Sequence, residues 1–443
     1  MTPPSAAPVV SLSADHLSGA VGAVADPTVR VLVSQAGADP ADLSVVAVAS
    51  SDTRIAGAGD VTVRGRGAER EVSVRARGRG LCDLTLRVTG LGAAAATTVL
   101  HYAASGPVQH AADTRYLTGA SDASAALDVG GGHLVLADDE SNTLRLYARG
   151  ASGGPLRSWD FGARLGVRKE IDIEGVARAG DTDAVYWLGS MSHSADGEPR
   201  PDRSLLFRTE VRGAGAAVEL VPAGSYRGLR ADLIAWDESR GGELGFAAGA
   251  AEGRGPKRID GFNAEGFEFA PGSTSVAYVG FRAPLVPAKT GGGALLVPVL
   301  NVDELMTERT VRGEQAGGRA EFGEPVLLDL DGLSIRDLRR NSSDQYLIVA
   351  GSWADDDGSE PYALYAWDGR AGHGAARLMD LPAGGPGGWE CVVDVPDLEV
   401  PGARVQLIAD CGSADWYGTG VAAKDLRQPE WKKARAVTFT VTE

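Results

Sequence analysis

A chain of 443 residues, 44% hydrophobic and 23% charged, is too long for one ordinary domain and too apolar for global disorder. Its formal net charge of −16 excludes a nucleic-acid binder and repels anionic membranes, and no apolar run is long enough to span a bilayer. Sixty glycines and 22 prolines without a collagen-like period imply many tight turns between short apolar runs, as an all-β fold requires.

The first residues, MTPPSAAPVV, lack a charged start and a long apolar core, so they do not read as a signal peptide. A cytoplasmic protein, or a leader outside this sequence, is expected. Residues 8–104 alternate apolar and polar positions in VRVLVSQ (29–35), LSVVAVASS (43–51), VTVRGRG (61–67), REVSVRARG (70–78), CDLTLRVTG (82–90) and TTVLHYAA (97–104). Turn signals separate them, and spacings of roughly ten residues predict a β-sandwich over 1–105. This stretch is neutral, with nine arginines against nine acidic residues, so the remainder carries the whole −16. Arg64, Arg66, Arg75, Arg77 and Arg79 fall on alternate positions and read as a solvated strand face rather than a basic docking surface. The runs VAVASSDTRI (46–55) and GDVTVRGRGAEREVSV (59–74) resemble the immunoglobulin- or cadherin-like repeats of bacterial surface proteins. That resemblance implies an immunoglobulin-like spacer or adhesion module.

SGPVQHAADTR (105–115) reads as the linker, here bounded at 106–115. Residues 116–443 then repeat a degenerate unit: an acidic residue beside glycine, an apolar strand, a turn, a second strand, a loop and a third strand. The units open at SDASAALDV (121–129), IDIEGVARA (171–179), FNAEGFEFA (262–270), LDGLSIRDL (330–338) and GWECVVDV (388–395). GLRADLIAWDESRGGELGFAA (228–248) reads as a further, irregular unit. The expected architecture is therefore a β-propeller of about six blades, with five or seven as the alternatives, its ring closed by ARAVTFTV (434–441) joining the first blade.

The innermost strands of a propeller line one channel, so residues at equivalent positions form a ring. Aligning the acidic-glycine pairs puts Asp122, Glu174, Glu265, Asp331 and Glu390 at one mouth. Carboxylates gathered this way need raised pKa values, counter-charges or cations. Their hard oxygen ligands suit calcium, with Glu174, Glu265, Asp331 and Glu390 as the metal set. The competing reading is structural, with the carboxylate capping backbone amides and the glycine allowing a tight bend. A second rim follows the second strands: Asp138 and Asp139, Ser190 and His193, Arg282, Ser352 and Trp353, and Asp410. Arg282 and Arg336 are the expected counter-charges or anion holders. His193, alone in its loop, reads as surface rather than as a base. ADDDGSE (354–360) lacks the ligand spacing of an EF-hand and reads as a hairpin tip. Cys391 and Cys411 flank a hairpin, where two buried thiols are expected over a disulfide; Cys82 reads as core.

The runs DIEGVAR with VYWLGSMSHSADGEPRPDRSLLF (172–207), NAEGF (263–267) with YVGFRAPL (278–285), and DLDGLSIRD (329–337) resemble a bacterial propeller family of unknown function related to esterase-like phytase propellers. The resemblance implies an extracellular or cell-envelope protein and, by analogy, calcium at acidic channel residues. The sequence departs from that pattern at Trp389-Glu390-Cys391 and lacks a lysine-rich phosphate cluster. No nucleophile elbow, zinc-protease, Walker or Rossmann motif occurs. The reading favoured is a monomeric propeller binding a small-molecule or protein ligand at its acidic mouth, stabilised by calcium. A calcium-dependent phosphoesterase and a purely structural or adhesive protein are the competing readings.

Overall fold

The computed structural model describes residues 6–92, 94–306, 318–354, 360–382 and 387–441. Asp355, Asp356 and Asp357 of the acidic run lie outside them. The chain is all-β apart from short helical segments, and it divides into two units. One comprises Met1–Ser121, Gly150–Gly154 and Gly412–Lys433; the other comprises Asp122–Arg149, Pro155–Cys411 and Ala434–Glu443.

The first unit holds two four-stranded sheets. One has the order Val9–Leu12, Thr28–Ser34, Glu69–Val74, Val61–Arg64; the other has the order His16–Val21, Ala95–Pro107, Gly80–Thr89, Ser44–Ser50. Thr28–Ser34 buries every second residue, as strict alternation demands. Val31 and Val72 from one sheet share a core with Leu84, Leu86, Leu100 and Tyr102 from the other. The expected strands are all present, and Ala95–Pro107 continues past Ser105. The arginines of the alternating set are exposed.

Among the described residues the second unit holds the inner strands of five sheets in a propeller-like arrangement. Their inner strands are Ala123–Asp128, Ile173–Arg178, Asn263–Phe269, Ser334–Arg340 and Gly388–Val392. Each inner strand packs against the next, and the last packs against the first, closing a ring. Neighbouring sheets share apolar cores: Leu146 and Trp187 lie in one cluster, Tyr186 and Phe267 in the next, and Leu296 and Tyr365 in a third. Burying each such side chain contributes about 1.5–3 kcal/mol.

Among the described residues there are five such sheets, the lower end of the expected five to seven. The stretch 228–248 is no blade but a helix, Leu229–Ser239, followed by the short helix Phe246–Gly249. Leu229 and Leu233 recur at helical spacing and are fully buried. Buried Asp237 then accepts from the backbone N–H groups of Leu244 and Phe246, each at 3.0 Å, fixing the second turn. The expected closure also differs. Lys433–Thr440 is the third strand of the last sheet, not a strand of the first blade. Cys82, Cys391 and Cys411 are buried free thiols. Among the described residues no helix is long and apolar enough to cross a membrane.

Candidate functional site at the acidic channel mouth

Each inner strand carries a one-residue bulge at the same place in its pairing with the second strand. The unpaired residues are Ser124, Glu174, Glu265, Arg336 and Glu390. A bulge displaces its extra residue from the ladder and re-aims the side chain. These five positions are therefore equivalent, and all five residues are buried. The residue two before each is Asp122, Asp172, Asn263, Ser334 or Gly388.

This frame places the sequence-derived ring. Glu174, Glu265 and Glu390 are equivalent, as expected. Asp122 sits one tier away from Ser124. Asp331 falls outside the ring: it is exposed, has a left-handed φ of 56°, and precedes the strand by three residues. Its carboxylate accepts from Tyr365 Oη at 2.7 Å and pairs with Arg377 at 2.6 Å, both on outer strands of its sheet. The Asp331-Gly332 pair imitates the acidic-glycine opening but forms a turn. Arg336 holds the equivalent place. The glycines after Glu174 and Glu265 allow close approach of neighbouring inner strands. A Cβ on Gly175 would lie 2.8 Å from Phe267 Cβ, and one on Gly266 would lie 3.0 Å from Ile335 Cγ2.

The ring divides into two electrostatic halves. On one side Arg282 Nη1 meets Glu265 Oε1 at 3.0 Å, and Arg336 Nε lies 2.8 Å from Glu265 Oε2. Arg336 also donates to Glu390 and, at 3.1 Å, to Ser352 O, while Arg282 donates to Trp353 O at 3.1 Å. Burial pushes Glu265 upward, but Arg336 and Arg282 together outweigh it and hold its carboxyl below the ordinary range. These residues form a closed, neutralised network.

The other half is only partly compensated, by Arg203 on Asp172 and by the more distant charges of Arg336 and Arg282 on Glu174. Asp139, Asp172 and Glu174 present carboxylate oxygens within 4.8 Å of one another. Asp172 is held by Arg203 at 2.9 Å and by Ser192 Oγ at 3.4 Å. Glu174, only 8% exposed, makes no hydrogen bond or ion pair among the described residues. Asp139 Oδ1 is buried and unpartnered. Burial pushes both carboxyls well above the ordinary range, and neighbouring charge adds to it: Glu174 acting on Asp139, Glu265 and Asp172 acting on Glu174. Asp172 is also raised by burial, against the pull of Arg203. Asp139 belonged to the expected rim. Asp172 and Arg203 were not singled out in the sequence, although Asp172 stands two residues before Glu174 in DIEG. His193 is buried rather than surface, and its Nε2 lies 2.9 Å from Arg230 Nη2. Burial, helped by the Arg230 charge, lowers its pKa.

The sequence profile of the family "Protein of unknown function (DUF3616)" matches residues 255–382. That span contains the NAEGF, YVGFRAPL and DLDGLSIRD runs and excludes 172–207. No curated protein sequence matches the chain. Among solved structures, a protein of unknown function from Bacteroides thetaiotaomicron aligns at 10% identity over 99% of both chains, with a TM-score of 0.31. YCF48 from Cyanidioschyzon merolae aligns at 10% identity over 81% of this chain and 76% of its own, with a TM-score of 0.27. Likenesses this weak carry no argument about function, and none of these matches is to a phytase.

Proposed function

We propose that the propeller is a ligand-binding module of secreted or cell-envelope type, carried on an immunoglobulin-like sandwich, with calcium held at its acidic mouth by Asp139, Asp172 and Glu174. The carrying observation is a buried carboxylate, Glu174, without a hydrogen-bond or ion-pair partner among the described residues, beside two others. An uncompensated buried charge is costly, and a cation removes that cost. The donor set is all oxygen, which fits calcium and not zinc. Calcium takes six to eight oxygens, so three side chains leave positions for oxygens of a bound molecule.

The metal set read from the sequence narrows accordingly. Among the described residues, Glu265, Asp331 and Glu390 each have an arginine partner and Glu174 has none. Binding is favoured over phosphoester hydrolysis because the anion holders of the hydrolase reading, Arg282 and Arg336, are already taken up by Glu265, Glu390 and backbone carbonyls.

The test compares thermal melts of calcium-free wild type and Glu174→Gln, each with and without millimolar calcium. Calcium at about 100 times its dissociation constant stabilises by roughly 2.7 kcal/mol. The wild type is expected to shift and the variant not. Equal responses would sink the assignment.

A further inference from the structure

At the other end of the inner strands the chemistry reverses. The strands leave the bulged mouth and end at Asp128, Arg178, Phe269, Arg340 and Val392. A cavity of about 460 Å³ opens among these ends, within the usual volume range for small-molecule sites. Arg178, Arg339 and Arg340 all line it.

Arg340 is neutralised, pairing with Asp344 and lying 4.0 Å from Glu268. The other two make no direct ion pair among the described residues, although the Arg339 charge acts on buried Glu268 and Asp337. Arg339 is only 6% exposed; among the described residues it donates to Val176 O, and its Nε is buried without a partner. Among the described residues, half-buried Arg178 donates only to Thr182 O, at 3.2 Å. Neither guanidinium has a carboxylate within ion-pair distance among the described residues. Burial lowers the Arg178 pKa and the Arg339 charge lowers it further, against the pull of Asp183 and Asp128.

The nearby acids are mostly engaged elsewhere. Asp128 and Asp394 both pair with Arg149, at 2.8 and 2.6 Å. Glu268 spends its two oxygens on the backbone N–H groups of Phe269 and Arg340. Two adjacent arginines therefore face a cavity with donors unspent. A buried N–H without a partner is costly, and the guanidinium fork matches an oxyanion in geometry and charge.

We propose that this cavity binds the phosphate or carboxylate group of an anionic small molecule between Arg178 and Arg339, at the end of the channel opposite the acidic mouth. The site does not depend on calcium. Its size leaves room for an organic body beyond the oxyanion.

The test titrates inorganic phosphate and citrate into the full chain in calcium-free buffer by calorimetry, at constant ionic strength set with chloride. Saturable binding is expected in the wild type. Arg178→Gln should weaken it roughly tenfold, the cost of one charge-assisted contact. Arg240→Gln, which alters an exposed pair with Glu324, should leave it unchanged. Phosphate binding without citrate binding assigns a phosphate group, and the reverse a carboxylate; both support the site. No saturable binding of either anion, or an unaltered Arg178→Gln, would overturn it. Arg178 is half-buried, so its variant keeps the test decisive if Arg339→Gln fails to fold.

Discussion

Arg336→Met tests the neutralised half of the ring. The Arg336 side chain is 2% exposed and bridges Glu265, 3% exposed, to Glu390, 10% exposed. Methionine fills much of the same space but supplies no charge. Glu265 keeps Arg282, whereas Glu390 loses its arginine. Removing one partner of a buried pair costs about 3–5 kcal/mol, because the remaining charge stays desolvated. The lost bond to Ser352 O adds about 1 kcal/mol. Urea unfolding of the full chain, followed by far-ultraviolet circular dichroism, reads the loss. Glu390→Gln in the Arg336→Met background should recover part of it, with a coupling of roughly 1–3 kcal/mol. A single-variant cost below about 1 kcal/mol, or strict additivity of the two changes, would refute the reasoning.

Two further predictions concern other buried charges. Burial pushes the Glu268 carboxyl up to about 7 from its ordinary 4.5, so the folded state holds this proton more tightly than the unfolded chain. Its contribution is therefore present at low pH and lost as pH rises through that window, by at most about 3 kcal/mol. Glu268→Gln should gain stability relative to wild type between pH 5 and 8 in parallel denaturant titrations, and a pH-independent difference would refute this. In the first unit, fully buried Lys433 donates to Ser18 Oγ, Gly19 O and Ser105 Oγ at 2.9–3.1 Å, and its ammonium lies 4.6 Å from the Tyr116 ring centre. Lys433→Met strands those acceptors and should lower stability by about 2–4 kcal/mol in a urea melt; a neutral result would show that they find other donors.

The strands were legible because alternation and turn residues report directly on burial and chain reversal. The inner strands and most of the second and third strands lie where their apolar runs are. Register was less legible. A bulge leaves no mark in hydropathy, so Asp331-Gly332 passed for the acidic-glycine pair five residues before the true equivalent, Arg336. Leu229 and Leu233 did announce a helix by their spacing, but a repeat frame imposed over 228–248 concealed it. The site divides in the same way. Carboxylates on inner strands could be read from the repeat. Which of them meet arginines depends on side-chain reach across sheets, and no one-dimensional pattern carries that.

The most direct measurement is an anomalous difference map from crystals grown with terbium in place of calcium. A peak coordinated by Asp139, Asp172 and Glu174, whose oxygens already lie within 4.8 Å of one another, is expected. No peak there, or a peak on Glu265 and Glu390 instead, would contradict it.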